Sequence, residues 1–223
     1  MIDDKQLTEE YLDGKVVFPG KIIRVEHWHV RLPNGETALR EVACHPGAAG
    51  IVALDDDGNV ILVRQHRIAV GRLTLEIPAG KLDGVDEDPF VCAQRELSEE
   101  TGLTADHWRK LTVLETTPGF CNERIHLYLA TGLHAGKTHP DEDEFVCTLR
   151  MPLSDAVQKV MDGTFRDGKT ALALLMCSSC CPPPANNKRA KRAFCSIHAY
   201  CNKYFIKMQS CGRIFARFFG KFR

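Results

Sequence analysis

Residues 20–35, "GKIIRVEHWHVRLPNG", alternate apolar and polar side chains and end in a Pro-Asn-Gly turn, which predicts a strand followed by a turn. Downstream, "AGIVAL" and "VILVRQHR" flank "DDDGN" and predict two strands joined at an Asp-Gly turn. "LTLEIPAGKL" predicts a short strand broken by Pro78 and Gly80, followed by a loop, "DGVDE". The period then changes. Phe90, Ala93 and Leu97 form an apolar stripe at helical spacing; Asp88 suits the N-cap, Pro89 the first turn and Gly102 the stop. "KLTVLET" and "RIHLYLATGL" predict strands on either side of "TPGFCNE", and "EFVCTLRMPL" predicts another. "LSDAVQKVMDG" and "KTALALLM" predict helices. No internal repeat is visible. Strands and helices alternate, so an α+β domain built on one mixed β-sheet is expected over about residues 1–176. Residues 1–48 form a strand-rich lead-in to a main body at 49–176.

Charge divides the chain unevenly. Its 29 basic and 29 acidic residues balance, yet ten of the basic ones and none of the acidic ones lie from Cys177 onward. Residues 1–176 therefore carry a net charge of about −10. No run of about 18 apolar residues predicts a membrane span. The polar, acidic start, "MIDDKQLTEEYLDGK", lacks the basic and apolar regions of a secretory signal, so a cytoplasmic location is expected. Cys44, Cys92, Cys121 and Cys147 are scattered without metal-binding spacing and are expected to be small buried apolar residues.

The helix after the glycine-containing turn carries the chemistry. At about 100° per residue, Glu96, Glu99 and Glu100 share one sector. Like charges at these spacings cost roughly 0.2–0.5 kcal/mol per pair. Arg95 offsets part of this through Glu99, four residues on, and a bound divalent cation would remove the rest. Carboxylate oxygens suit Mg²⁺, or Mn²⁺, and those ions bind phosphates in turn.

Gly80, Glu87, Arg95, Glu96, Leu97, Glu99, Glu100, Gly102 and Leu103 together resemble the Nudix box, G-x(5)-E-x(7)-R-E-U-x-E-E-x-G-U, with U aliphatic. Six residues rather than five separate Gly80 from Glu87. Taking Asp86 instead restores that gap and breaks the next, and the extra residue lies in the "LDGVDE" loop. The resemblance implies a Nudix fold, a mixed sheet sandwiched between helices, and metal-dependent hydrolysis of a diphosphate linked to another moiety. It implies Glu96 and Glu100 as the main metal ligands, Glu99 completing the shell, the carbonyl of Ala79 as a further ligand, and Arg95 as the residue that orients the glutamates. "LVRQHR", "LEIPAGKLD" and "TPGFCNE" resemble the ADP-ribose pyrophosphatase branch, whose proline sixteen residues past the last box glycine matches Pro118. This branch implies substrate contacts at Arg67, Arg64, Pro118 and Glu123. It also implies a catalytic base from the acidic loop "HPDEDEF", with Glu142 first and Glu144 next. A homodimer paired through residues 1–48 is expected for this branch. Sugar nucleotides or dinucleoside polyphosphates are the alternative substrates, and a catalytically silent nucleotide-binding module is the alternative function.

Residues 177–223 do not fit that pattern. Three prolines stop any helix after Cys181. The basic and aromatic composition is compatible with nucleic acid or a membrane surface, and Cys177-x2-Cys180 with Cys195-x2-His198 has zinc-like spacing. The plainer reading is a tail foreign to the domain, as from an altered reading frame, mostly disordered. Neither nucleic acid nor membrane is expected as a partner of the domain itself.

Overall fold

The computed structural model describes residues 3–136 and 145–180. Glu142, Glu144 and the tail from residue 181 lie outside the described residues.

Strands β1 (Glu10–Pro19), β2 (Arg24–Arg31) and β3 (Thr37–Cys44) form a separate antiparallel sheet in that order. The strand–turn signal of residues 20–35 is β2, but β1 has no alternating signature. Its ladder shifts register between Tyr11 and Asp13 and again between Val16 and Phe18, so the two-residue period breaks twice within ten residues. Among the described residues there are thus two sheets instead of the single one expected throughout the domain.

The second sheet has seven strands: β4 (Ala48–Leu54), β5 (Asn59–Arg67), β6 (Arg72–Glu76), β7 (Ala79–Lys81), β8 (Leu103–Glu115), β9 (Arg124–Ala135) and β10 (Cys147–Pro152). Its spine runs β10-β5-β4-β9-β8, with β6 on β5 and β7 on β4. β4 and β9 are parallel and the other pairs antiparallel, so the sheet is mixed. β8 begins directly after the helix stop, seven residues before the "KLTVLET" strand signal.

Three helices, α1 (Pro89–Thr101), α2 (Leu153–Met161) and α3 (Gly168–Cys180), cover this sheet. β4 is buried along residues 48–53, which requires cover on both faces. Val52, Leu62 and Leu127 pack with Val157 of α2 and Leu174 of α3. Ile51, Ile61 and Tyr128 pack with Ala93 and Leu97 of α1. The alternating side chains of each strand thus feed two apolar layers, and the helices close both. α3 runs four residues past Met176 and buries Cys177 completely, so the first residue of the compositionally distinct tail belongs to the core. Cys44 and Cys92 are buried as expected, but Cys121 is only half-buried and Cys147 is exposed on β10 at the sheet's margin. Among the described residues no helix is long and apolar enough to cross a membrane.

One turn of this fold positions the site. β4 pairs with β7 through residues 48–50 and with β5 only through Ala53 and Leu54. The splay between β4 and β5 admits the Pro78-Ala79-Gly80 turn, fixed by the Ile51 N–H donating to the Pro78 carbonyl at 2.8 Å. α1 packs over this region with Leu97 wholly buried. Leu97→Ala is expected to cost about 2–5 kcal/mol in urea denaturation monitored by circular dichroism.

Candidate active site

α1 has the ends that its sequence calls for. The Asp88 carboxylate accepts the Phe90 N–H at 2.8 Å, and Gly102 closes the helix in the left-handed region at φ 69°. Between those caps, Arg95 organises the acidic sector. Its Nη1 donates to Glu96 at 2.7 Å and to Glu99 at 3.0 Å, while its Nη2 donates to the Lys81 carbonyl at 3.2 Å. Arg95 Nε lies 3.5 Å from Glu87, whereas Asp86 is exposed. The structure therefore brings Glu87, not Asp86, to the box arginine, and the extra loop residue is absorbed before it. The Glu87 carboxylate also accepts the Asp83 N–H at 2.7 Å. Burial lowers the Arg95 pKa, but Glu96 and Glu99 outweigh it and raise it, so this side chain stays charged.

The turn at Ala79-Gly80 lies directly on those carboxylates. The Ala79 N–H donates to Glu100 Oε2 at 2.9 Å. A Cβ on Gly80 would fall 2.0 Å from the Glu96 carboxyl, so only glycine allows the approach. Glu96 and Glu100 are 6% and 4% exposed. Cys92 sits beneath, 3.5 Å from the Lys81 carbonyl. Burial and Glu96 push its thiol up to about 12, so it remains protonated and unreactive.

A cavity of about 540 Å³ adjoins the turn. Its lining includes Ala79, Gly80 and Lys81 of the turn, together with Arg67, Asp167, Lys169, His45 and Glu123. His45 Nδ1 lies 3.5 Å from Glu123. A wider cavity of about 790 Å³ shares His45 and Glu123 with the first and continues past Pro118 to Trp28 and Tyr11 of the small sheet. Behind the first cavity's lining, Glu76 is buried against Arg67, which donates to it at 3.0 and 2.9 Å through Nε and Nη2. Thr74 and Lys169 donate to the same carboxylate. Burial alone would raise the Glu76 pKa, but these partners outweigh it and hold it at about 2.

Arg67, Ala79 and Glu123 thus meet at one cavity, and Pro118 lines the adjoining one. Arg64 joins neither: it is exposed on β5, and an odd separation of three residues from Arg67 puts the two side chains on opposite faces of the strand. Sequence patterns did not single out His45, Glu76, Asp167 or Lys169. "DGKT", residues 167–170, is the one local signal, an Asp two residues before a Lys at a helix start.

The donor chemistry of Glu96, Glu99, Glu100 and the Ala79 carbonyl suits a hard divalent cation. Among the described residues no three acidic, His or Cys side chains are gathered as a ready cation site. Glu96 instead bonds Arg95, and Glu100 bonds the Ala79 N–H. Gly80 leaves just the room that the Glu96 carboxyl fills, so the cradle itself fits.

The family model for the NUDIX domain matches residues 45–172, from the first cavity's His45 to the middle of α3. The chain belongs to the Nudix family. It is 42% identical over 172 residues to an ADP-ribose pyrophosphatase of Bacillus subtilis (strain 168), covering 76% of this chain and 92% of that protein. It is 40% identical over 156 residues to an ADP-ribose pyrophosphatase of Mycobacterium tuberculosis (strain ATCC 25618 / H37Rv), covering 69% and 75%. A solved structure described as an ADP compounds hydrolase superposes with a TM-score of 0.67 at 24% identity, covering 77% of this chain and 93% of that one, and confirms the Nudix fold. This Nudix protein is a hydrolase, and Nudix hydrolases generally need a divalent metal ion.

Two outcomes test the site's construction. Gly80→Ala is expected to displace Glu96 and cut turnover at least about tenfold, ~1.4 kcal/mol, while circular dichroism reports an unchanged fold. Because the folded Glu76 carboxyl titrates below its ordinary value of 4.5, its contribution to stability is present above that value. It is lost as pH falls from 4.5 toward 2, and amounts to about 3 kcal/mol. Urea denaturation across that range is expected to show the loss in the native protein and a flatter profile in Glu76→Gln.

Proposed function

We propose that this Nudix hydrolase cleaves the diphosphate of ADP-ribose to AMP and ribose 5-phosphate, with Mg²⁺ as its metal and Mn²⁺ able to replace it. The observation that carries this reading is the contact of the buried Glu96 and Glu100 with a turn that itself lines a cavity flanked by Arg67 and Glu123. Similarity to two ADP-ribose pyrophosphatases supports the substrate.

A diphosphate is anionic and resists attack by water. When bound, a divalent cation neutralises its oxygens and lowers the pKa of a coordinated water. Glu96, Glu100 and the Ala79 carbonyl would hold that ion, with Glu99 completing the set. Arg95 orients Glu96 and Glu99 from behind and does not face the cavity. Arg67 faces a phosphate or ribose oxygen from the wall, and Glu123 binds the substrate near the terminal ribose. Pro118 shapes the neighbouring wall. The base is assigned to Glu142 or Glu144, in the acidic segment between β9 and β10 that lies outside the described residues.

Residues 1–48 would pair two copies of the chain. The small sheet supports this, because Val16, Val17, Phe18 and Leu39 are exposed there, with Ile22 and Ile23 in the connection between β1 and β2. The reading is a homodimer located in the cytoplasm, and sedimentation equilibrium is expected to give twice the monomer mass.

The decisive assay mixes purified protein with ADP-ribose and Mg²⁺ and follows AMP. Equal amounts of AMP and ribose 5-phosphate are expected. Turnover only of a sugar nucleotide or a dinucleoside polyphosphate would move the enzyme to another Nudix branch. Tight binding without turnover at any metal concentration would make it a silent nucleotide-binding module. Glu100→Gln is expected to reduce turnover by at least about 100-fold, ~2.7 kcal/mol, without loss of helical signal.

A further inference from the structure

The wall of the 540 Å³ cavity carries two carboxylates, Asp167 and Glu123, and a third, Glu76, lies buried behind it against Arg67 and Lys169, an unfavourable composition for a space that receives an anionic diphosphate. Arg67 is committed to Glu76 by two hydrogen bonds. Lys169 connects two of these acids: its ammonium donates to Glu76 and, at 3.0 Å, to Asp167 Oδ2. Its side chain is 11% exposed and lines the cavity beside Arg67, Ala79 and Gly80. The next residue ties the same segment to the box turn. Thr170 is fully buried, and its hydroxyl accepts the Ile77 N–H at 3.0 Å, two residues before Ala79.

We propose that Lys169 is a positioning residue for substrate binding: by offsetting the charge of Glu76 and Asp167 together, it lets Arg67, held to Glu76 through Nε and Nη2, offer its Nη1 and its charge to the diphosphate. This rests on the reading of the cavity as a nucleoside diphosphate site. With Lys169 present, Arg67, Lys81 and Lys169 balance Glu76, Asp167 and Glu123, and the wall is neutral. Without it the wall carries one net negative charge, which repels the substrate. Glu76 then also has Arg67 as its sole charged partner and draws that guanidinium inward. Both effects act on binding before the chemical step, so they fall on KM rather than on kcat.

The test uses the full-length protein and steady-state kinetics with ADP-ribose at saturating Mg²⁺. Lys169→Met is expected to raise KM about tenfold or more, equivalent to ~1.4 kcal/mol, and to change kcat by less than about threefold. Lys169→Arg should recover most of the loss because it keeps the charge. Adding Asp167→Asn to Lys169→Met should lower KM again, since it removes the charge that Lys169 had offset. A purely structural role would not produce that rescue. Should Lys169→Met fail to fold, Asp167→Asn alone carries the test: the wall gains one positive charge, and KM is expected to hold or fall. An unchanged KM in Lys169→Met, or a raised KM in Asp167→Asn with the melting temperature intact, overturns the proposal. If the native protein turns over no nucleoside diphosphate, the functional reading fails separately. The Lys169 proposal is then decided by calorimetric titration of the same variants with ADP-ribose. The same ranking of dissociation constants upholds it, and equal constants, or no binding by the native protein, reject it.

Discussion

The contact between α1 and the Ala79-Gly80 turn is the constraint on which the site depends. A helix carboxylate, Glu100, accepts a backbone N–H from the turn, and another, Glu96, occupies the space that a side chain on Gly80 would take. The turn is held from the other side by β4, through the Ala79, Gly80 and Lys81 pairs and the Ile51 N–H. Sheet, turn and helix are therefore locked in one order. Two acidic groups are buried in the process, and a buried charge is tolerated only when paired or hydrogen-bonded. The fold thus brings two buried carboxylates against a turn that itself lines a cavity.

The surrounding charges follow from that burial. Arg95 spans Glu87, Glu96 and Glu99, so the acidic sector of α1 does not repel itself apart. Across the cavity, Lys169 and Arg67 perform the same service for Glu76 and Asp167. The first arrangement is local, within one helix and its preceding loop. The second joins β5, β6 and α3 across 93 residues of chain, and it ties the last described helix to the catalytic turn. The same buried carboxylate, Glu76, thus anchors both the cavity's cations and α3.

What could be read in the sequence was what depends on local spacing. The caps of α1, the pairing of Arg95 with Glu99 and the hairpin around Gly58 rest on separations of two to four residues, and each appears in the structure. Contacts between distant segments left no such trace. Lys169 looks like an ordinary polar residue at a helix start until folding sets it on Glu76. Arg64 and Arg67 share the stretch "LVRQHR" as expected substrate contacts, yet strand alternation separates their faces and only Arg67 lines the cavity. β1 was hidden by its two register shifts, and the end of α3 by an abrupt change in composition at Cys177 that the core does not respect. The choice between Glu87 and Asp86 could not be made by counting, because an inserted loop residue satisfies either gap; the approach of Glu87 to Arg95 decides it.

The central claim is that Glu96 and Glu100, with the Ala79 carbonyl, hold the catalytic cation against the cavity. Anomalous diffraction from crystals soaked in Mn²⁺ and a non-hydrolysable ADP-ribose analogue tests it directly. The account requires an Mn²⁺ peak about 2.0–2.3 Å from oxygens of both glutamates, with the analogue's diphosphate on the side of Arg67. A well-occupied peak coordinated elsewhere, with Glu96 still bonded to Arg95 and Glu100 to the Ala79 N–H, would contradict it.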